Sequence, residues 1–250
     1  MNPFDDKVDS FNGRMVVVKA LVGSHNYNLN TAQSDRDYKL FVEPTFDDLY
    51  FGSHFATGAQ SVTVDYTVHD IRGLSDLLWK ANINFIEILF SIDLYYHAGL
   101  AWIFNNRDAL ASMNLPKLYN SSMGMHFNKF NNIHKGTGTT SALVEKFGYD
   151  TKQATHALRL LYVIERIASG MNVQDALYFS NKNVKRIILL NVKSGKYTED
   201  NFRKIVEVWH KRHGNKTRDW FESQATNEEL KNQMDDVIKN FIRMGVCSNT

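Results

Sequence analysis

The sequence predicts an α+β fold in which a small mixed sheet with flanking helices is followed by a mainly helical C-terminal lobe. Two apolar runs, residues 15–22 and 35–42, and an alternating run at 61–68 are typical of strands. From about residue 150 onward, apolar residues recur instead at helical spacing. We therefore expect residues 1–110 to form the sheet-containing core and residues 111–250 to form the helical lobe.

The first strand ends at a Gly-Ser pair that suits a phosphate ligand. Residues 15–22 are apolar and β-branched, as in a buried strand, and they lead directly into Gly23 and Ser24. Gly23 lets the backbone approach a ligand closely, and Ser24 adds a hydroxyl beside exposed N–H groups. A polar loop over residues 26–33 follows.

The second strand opens with two aspartates. In a strand over residues 35–42, Asp35 and Asp37 are two apart and lie on the same face. Carboxylates held side by side repel each other unless a cation lies between them, and Mg²⁺ is the usual cation for oxygen ligands. A phosphate cradle followed by metal carboxylates outlines a site for phosphoryl transfer.

The alternating run at residues 61–68 supplies a third carboxylate. Valines and a tyrosine occupy one face of this predicted strand, and Asp65 lies on the polar face. A helix over residues 70–80 is expected next. Glu87, among apolar residues, is not expected to be buried without a partner. Asn82 and Glu87 either orient the site or make structural hydrogen bonds, and the sequence leaves both open.

A later helix carries a basic face. Asp150 is the expected N-cap, and apolar residues at helical spacing run to a stop at Gly170. Lys152, His156 and Arg159 are spaced four and three apart and so share another face. Cations near a helix N-terminus oppose the helix dipole, and a bound polyanion would resolve that conflict.

These segments resemble a known signature. Gly23-Ser24, a loop and then Ser34-Asp35-Arg36-Asp37-Tyr38-Lys39 resemble the nucleotidyltransferase signature of the DNA polymerase beta superfamily. Residues 80–89 are similar to a Lys-Gly-Asn-Pro-x-x-x-Glu-x-Leu motif, from which Ala81 and Ile83 depart. Residues 149–160 match Tyr-Asp-x-Lys-x-x-x-His-x-x-Arg-Leu at every named position. Within the superfamily, the chain is similar to an RNA-repair-associated, polymerase-beta-like family of bacteria and bacteriophages.

The resemblance implies a polymerase-beta-like core, an activity and a set of site residues. Asp35, Asp37 and Asp65 would be the catalytic residues that hold Mg²⁺ or Mn²⁺. The nucleotide would be bound by two sets of residues, one in each part of the chain: Gly23 and Ser24, and Lys152, His156 and Arg159. The implied reaction transfers a nucleoside monophosphate from an NTP, with ATP weakly favoured, to an acceptor hydroxyl and releases pyrophosphate. The helical lobe is expected to complete the nucleotide site.

Two other functions stay open. The chain could be a catalytically idle nucleotide-binding or regulatory protein, although an idle copy has no reason to keep crowded carboxylates. It could also modify a protein hydroxyl, as an AMPylase does, rather than an RNA end. The sequence identifies neither the acceptor, nor the preferred base, nor the oligomeric state.

Composition sets wider limits. With 43% hydrophobic and 22% charged residues, the chain has the composition of a soluble globular protein, and no stretch predicts a membrane span. The net charge of +2 divides into −5 over residues 1–125 and +7 over residues 126–250, which suits a partner that is a polyanion such as RNA. A single cysteine excludes an internal disulfide and favours the cytoplasm, or the host cytoplasm for a viral protein.

The histidines give no zinc signal. His126 and His134 have no cysteine or second histidine at zinc spacing, and His210 and His213 are expected at the surface rather than as ligands.

Overall fold

Strands of the first half of the chain form one mixed sheet. The computed structural model describes residues 9–32, 34–60, 64–138 and 140–248, the side chains at 59, 60 and 246–248 excepted. Its strands are β1 (Ser10–Phe11), β2 (Arg14–Val22), β3 (Arg36–Val42), β4 (Ala56–Gln60), β5 (Val64–Asp70) and β6 (Leu94–Tyr96). Their order is β1-β2-β3-β5-β4, and β6, which lies outside this order, also pairs with β2. Only the β3–β5 pair is parallel among these described strands, so the sheet is mixed as predicted.

The two faces of β3 and β5 differ in chemistry. Tyr38, Leu40 and Val42 of β3 pack with Tyr66 and Val68 of β5 in an apolar core. Because successive side chains alternate, the opposite face carries Asp37, Lys39 and Phe41 beside Asp65, Thr67 and His69. The alternation predicted for residues 64–68 is confirmed, whereas residues 61–63 lie outside the described part.

Among the described residues, seven α-helices belong to the same compact unit as this sheet. They are α1 (Gly23–Asn26), α2 (Phe46–Tyr50), α3 (Leu74–Trp79), α4 (Ile83–Ile86), α5 (Ala101–Asn105), α6 (Arg107–Ser112) and, at the end of the chain, α14 (Glu228–Ser248). Short 3-10 helices span Ile71–Gly73, Glu87–Phe90 and Ala98–Leu100. The helix predicted over 70–80 is therefore a 3-10 turn that continues into α3.

The remaining helices form a second compact unit. They are α7 (Leu115–Asn131), α8 (Ser141–Phe147), α9 (Thr151–Ala168), α10 (Val173–Leu177), α11 (Val184–Lys193), α12 (Glu199–Trp209) and α13 (Asn215–Glu222). A π-helical segment, His210–Gly214, joins α12 to α13. Most residues of α9 are buried, so this helix is the core of its unit.

The chain divides at Met113 and again before Asn227. One unit comprises Met1–Met113 and Asn227–Thr250, and the other comprises Asn114–Thr226. The predicted lobe over 111–250 included α14, but this helix packs with the sheet-containing unit. Phe241 of α14 lies 5.0 Å from the His97 ring, and Lys231 Nζ lies 3.2 Å from Asp76 Oδ1. The long apolar face of α14 explains why it returns to that unit.

None of the helices in the described residues combines the length and the apolar character needed to cross a bilayer.

Candidate functional site

Asp37 and Asp65 are partners on neighbouring strands. In the parallel β3–β5 pair the Cα of Asp37 is in register with the Cα of Asp65. Neighbouring strands lie about 4.8 Å apart, and register partners point to the same face. Both side chains are half-buried. Two carboxylates held this way repel each other, and a divalent cation relieves the repulsion.

Asp35 stands apart from this pair. The strand predicted over 35–42 begins instead at Arg36, and Asp35 precedes it as an exposed residue. The described residues contain no group of three His, Cys, Asp or Glu side chains placed to share one ion. Asp37 and Asp65 offer the carboxylate oxygens that Mg²⁺ and Mn²⁺ prefer, and their role as ligands stays a prediction, as does the place of Asp35 in a trio.

Gly23 lies directly against Asp37. At the end of β2, Val22 is in register with Asp37, and α1 begins at the next residue. Gly23 has a φ of +73°, and a Cβ built on it would come 2.8 Å from Asp37 Oδ2. Only glycine accommodates both this backbone conformation and this close approach. The two halves of the sequence signature are thus in contact.

Glu87 holds the same turn through a hydrogen bond to its backbone. The Gly23 N–H donates to Glu87 Oε2 over 2.8 Å, and Glu87 is 2% exposed. Asn26 Nδ2 donates to the Glu87 carbonyl, and Asn26 Oδ1 accepts from the Ile92 N–H. Of the two roles left open for Glu87, the structure shows the structural one: its buried carboxylate is stabilised by a backbone donor of the turn.

The hydrogen bond from Gly23 to Glu87 changes which groups of the predicted phosphate-binding turn can meet a ligand. Because its N–H already donates to Glu87, Gly23 contributes shape rather than a free donor. The half-exposed Ser24 hydroxyl has no hydrogen-bond partner within the described part of the chain, and it is the group of this pair available to a ligand. The following loop is closed by His25, whose Nε2 lies 3.0 Å from the Ser34 carbonyl oxygen.

Asn82 is a helix cap in the structure. Its side chain accepts from the Asn84 N–H over 3.0 Å at the start of α4. The preceding Ala81 adopts a φ of +49°, at the position where the resembled motif carries glycine. The motif residue is thus replaced, but the left-handed backbone that glycine favours is kept.

The basic residues of α9 do not share one solvated face. Asp150 caps this helix, accepting from the Gln153 N–H over 2.9 Å as predicted. Lys152 is exposed, His156 is partly buried, and Arg159 is only 2% exposed within the core of its unit. The sequence predicts a shared face for these three residues, but their exposure along it differs, since α9 is the central helix and most of its circumference is covered.

Further cations act on His156. Burial lowers the pKa of His156 well below its usual range, and the positive charges of Arg159, Lys129, Lys152 and Lys193 lower it further. Lys129 belongs to α7 and Lys193 to α11, and no local spacing in the sequence indicates either residue because they come from separate helices. His156 is consequently neutral at physiological pH, and its ring can donate or accept a hydrogen bond without adding charge.

Comparisons with known proteins give little further information. No protein-family model matches the sequence, and no curated protein matches it. Among solved structures, the chain is similar to a nucleotidyltransferase-like protein from Exiguobacterium sibiricum, with 13% identity over 94% of this chain and 87% of that chain. The TM-score of this similarity is 0.28.

Proposed function

We propose that this protein is a metal-dependent nucleotidyltransferase that moves a nucleoside monophosphate from an NTP to an acceptor hydroxyl and releases pyrophosphate. One observation carries the proposal. Asp37 and Asp65 are register partners on adjacent strands, and Asp37 lies against the Gly23 turn that Glu87 anchors. A carboxylate pair beside a turn with an available serine hydroxyl suits a metal-bound triphosphate.

Each residue of this site has a proposed task. Asp37 and Asp65, with Asp35 beside them in the chain, would hold Mg²⁺ or Mn²⁺. The bound ions would neutralise phosphate charge and lower the pKa of the attacking hydroxyl. The Ser24 hydroxyl would donate to a phosphate oxygen, and Gly23 would keep the turn close enough for that contact.

The basic residues of α9 are proposed to meet phosphates as well. Lys152 is exposed and can pair with a phosphate directly. His156 would act as a neutral hydrogen-bond donor, and the buried Arg159 would add charge from within the core. The surrounding Lys129 and Lys193 raise the positive potential at this part of the second unit.

The acceptor is proposed to be an RNA end in the cytoplasm. The positive charge of residues 126–250 supports a polyanion, although part of it is engaged within the chain. Lys185 Nζ lies 2.7 Å from Glu165, and Arg218 contacts Asp219 over 3.3 Å. A protein hydroxyl remains the second acceptor class, and labelling of protein rather than RNA would select it.

The decisive experiment compares labels at different phosphates. The protein is incubated with Mg²⁺ or Mn²⁺, total cellular RNA or protein, and each NTP labelled on the α- or the γ-phosphate. Transfer of the α label but not the γ label is expected. Asp37→Asn and Asp65→Asn should reduce transfer by at least about 1,000-fold, because the metal supplies most of the charge stabilisation.

The matched control is Asp47→Asn, which removes an exposed carboxylate of α2 and should leave transfer unchanged. Failure of every α-labelled NTP to label any acceptor would overturn the proposal. Undiminished transfer in both Asp37→Asn and Asp65→Asn would overturn the assignment of the carboxylate pair.

A further inference from the structure

Two histidines far apart in the sequence meet inside the second unit. His126 of α7 is fully buried, and its Nε2 lies 3.3 Å from Nε2 of His210, the first residue of the π-helical segment. Eighty-four residues separate them, so no local spacing could have predicted the pair. Short π segments of this kind are rare and are frequently found at functional sites.

The tautomer of His126 is determined by its other nitrogen. Nδ1 of His126 lies 3.0 Å from the carbonyl oxygen of Ala157 on α9. A carbonyl only accepts, so Nδ1 must carry the proton, and in the neutral ring Nε2 presents a bare lone pair to His210. Histidines that bind metals are commonly oriented in this way, with the remote ring N–H donated to a backbone carbonyl.

The distance between the two Nε2 atoms fits a shared metal ion. Two imidazole nitrogens bound to one tetrahedral zinc ion at about 2.0–2.1 Å lie roughly 3.3–3.4 Å apart. A direct hydrogen bond from a ring N–H is more often about 2.9–3.0 Å long. The observed 3.3 Å equals the separation expected of two ligands on one ion, and it is long for a direct hydrogen bond.

The surrounding cavity has room for an ion and a further ligand. Its volume is about 370 Å³, and both histidines line it together with Glu207, Asn131 and the rings of Phe127 and Phe130. Phe127 is 48% exposed, so the cavity is reached from solvent past this ring.

One cation in the lining is already compensated. Arg203 also borders the cavity. Its Nε donates to Glu199 Oε1 over 2.5 Å, and its guanidinium lies 4.9 Å from the centroid of the Phe130 ring. The Glu199 carboxylate and the Phe130 ring offset part of the arginine charge and so reduce its opposition to a bound cation.

We propose that His126 and His210 form a binding site for a divalent transition-metal ion, zinc by chemical preference, with water completing the coordination. Imidazole ligands select zinc and its neighbours, whereas Mg²⁺ and Mn²⁺ favour oxygen ligands. The site is therefore distinct from the one proposed at Asp37 and Asp65, and it does not depend on the proposed activity. A bound ion would fix α7 to the π-helical segment.

The test uses Zn²⁺ and Co²⁺ alone as probes of the full-length chain. Calorimetric titration of metal-free protein should show one Zn²⁺ bound per chain, and Co²⁺ should give the visible absorption of a tetrahedral site. His210→Gln should weaken Zn²⁺ binding by at least roughly 100-fold. Zn²⁺ should also raise the melting temperature of the wild type but not of His210→Gln.

His213→Gln is the matched control. His213 lies in the same π-helical segment and is 42% exposed at its side chain, but it points to Glu165, 3.8 Å away, rather than to His126. This variant should keep full Zn²⁺ affinity. Absence of Zn²⁺ and Co²⁺ binding by the wild type, or undiminished binding by a folded His210→Gln, would show a plain histidine–histidine hydrogen bond and overturn the proposal.

Discussion

The carboxylate of Asp37 lies against the backbone of Gly23, so closely that a Cβ added to the glycine would come 2.8 Å from Asp37 Oδ2. The same glycine donates its N–H to the buried Glu87. One residue without a side chain thus lies between a carboxylate proposed to bind metal and a carboxylate that holds the turn. The position of each depends on Gly23.

Gly23→Ala should cost far more activity than stability alone explains. The new methyl would meet Asp37 Oδ2 and displace the carboxylate, and a displacement of about 1 Å can lower turnover by roughly 100-fold. Gly13→Ala is the matched control, because Gly13 has a φ of +74° but no atom within 4 Å of an added Cβ. Both variants should lose about 1–2 kcal/mol to left-handed strain, as measured by denaturant unfolding. Equal transfer activity in the two variants would contradict the contact's proposed importance.

Glu87→Ala should destabilise the sheet-containing unit and lower turnover together. It leaves the Gly23 N–H without its acceptor, at a cost of about 1–3 kcal/mol, and frees the turn beside Asp37. Glu87→Gln keeps an acceptor oxygen at the same reach and should restore most of both properties. Thermal melts and transfer rates of the two variants check this. If Gln behaves like Ala, the carboxylate charge itself matters, and the positioning role assigned here fails.

Lys152→Ala should affect nucleotide binding, whereas Arg159→Ala should affect stability. Lys152 is exposed, so its removal should weaken NTP binding about tenfold at unchanged melting temperature. The buried Arg159 fills space in the core, and Arg159→Ala should lower the melting temperature markedly. Lys117→Ala, another exposed lysine of the second unit, should change neither quantity. A stable, fully folded Arg159→Ala would contradict the role in packing.

Features set by neighbouring residues could be predicted from the sequence. Asp150 caps α9, and Thr198 caps α12 by accepting from the Asn201 N–H, because each cap bonds a donor three residues on. Alternation placed Tyr66 and Val68 in the core and Asp65 on the other face. At the start of α14 the cap is Asn227, which accepts from the Leu230 N–H.

Features set by distant contacts could not be predicted. The parallel register that pairs Asp37 with Asp65 depends on how the connection through β4 folds, and no local pattern records it. The bond from Gly23 to Glu87 spans 64 residues, and the approach of His126 to His210 spans 84. The burial of Arg159 follows from the packing of neighbouring helices around α9, whereas helical periodicity alone describes only one side of it.

Low pH should reduce the stability of this protein because it protonates Asp48. Arg14 donates to both Asp48 oxygens, over 2.7 and 2.8 Å, and these bonds hold the pKa of the Asp48 carboxyl well below its usual range against the opposing effect of burial. A depressed pKa contributes stability that is complete above the unfolded value near 4 and is lost as pH falls towards the folded value. Asp48→Asn should therefore lower the free energy of unfolding by roughly 3 kcal/mol at pH 7. The difference in this free energy between the variant and the wild type should narrow between about pH 5 and 2. Lys204→Met, which breaks the exposed pair with Asp200, should leave the urea midpoint unchanged at every pH. Urea unfolding of the wild type, Asp48→Asn and Lys204→Met across this pH range tests the prediction. A difference between the wild type and Asp48→Asn that stays constant down to pH 2 would contradict the stabilising role of the Arg14–Asp48 pair.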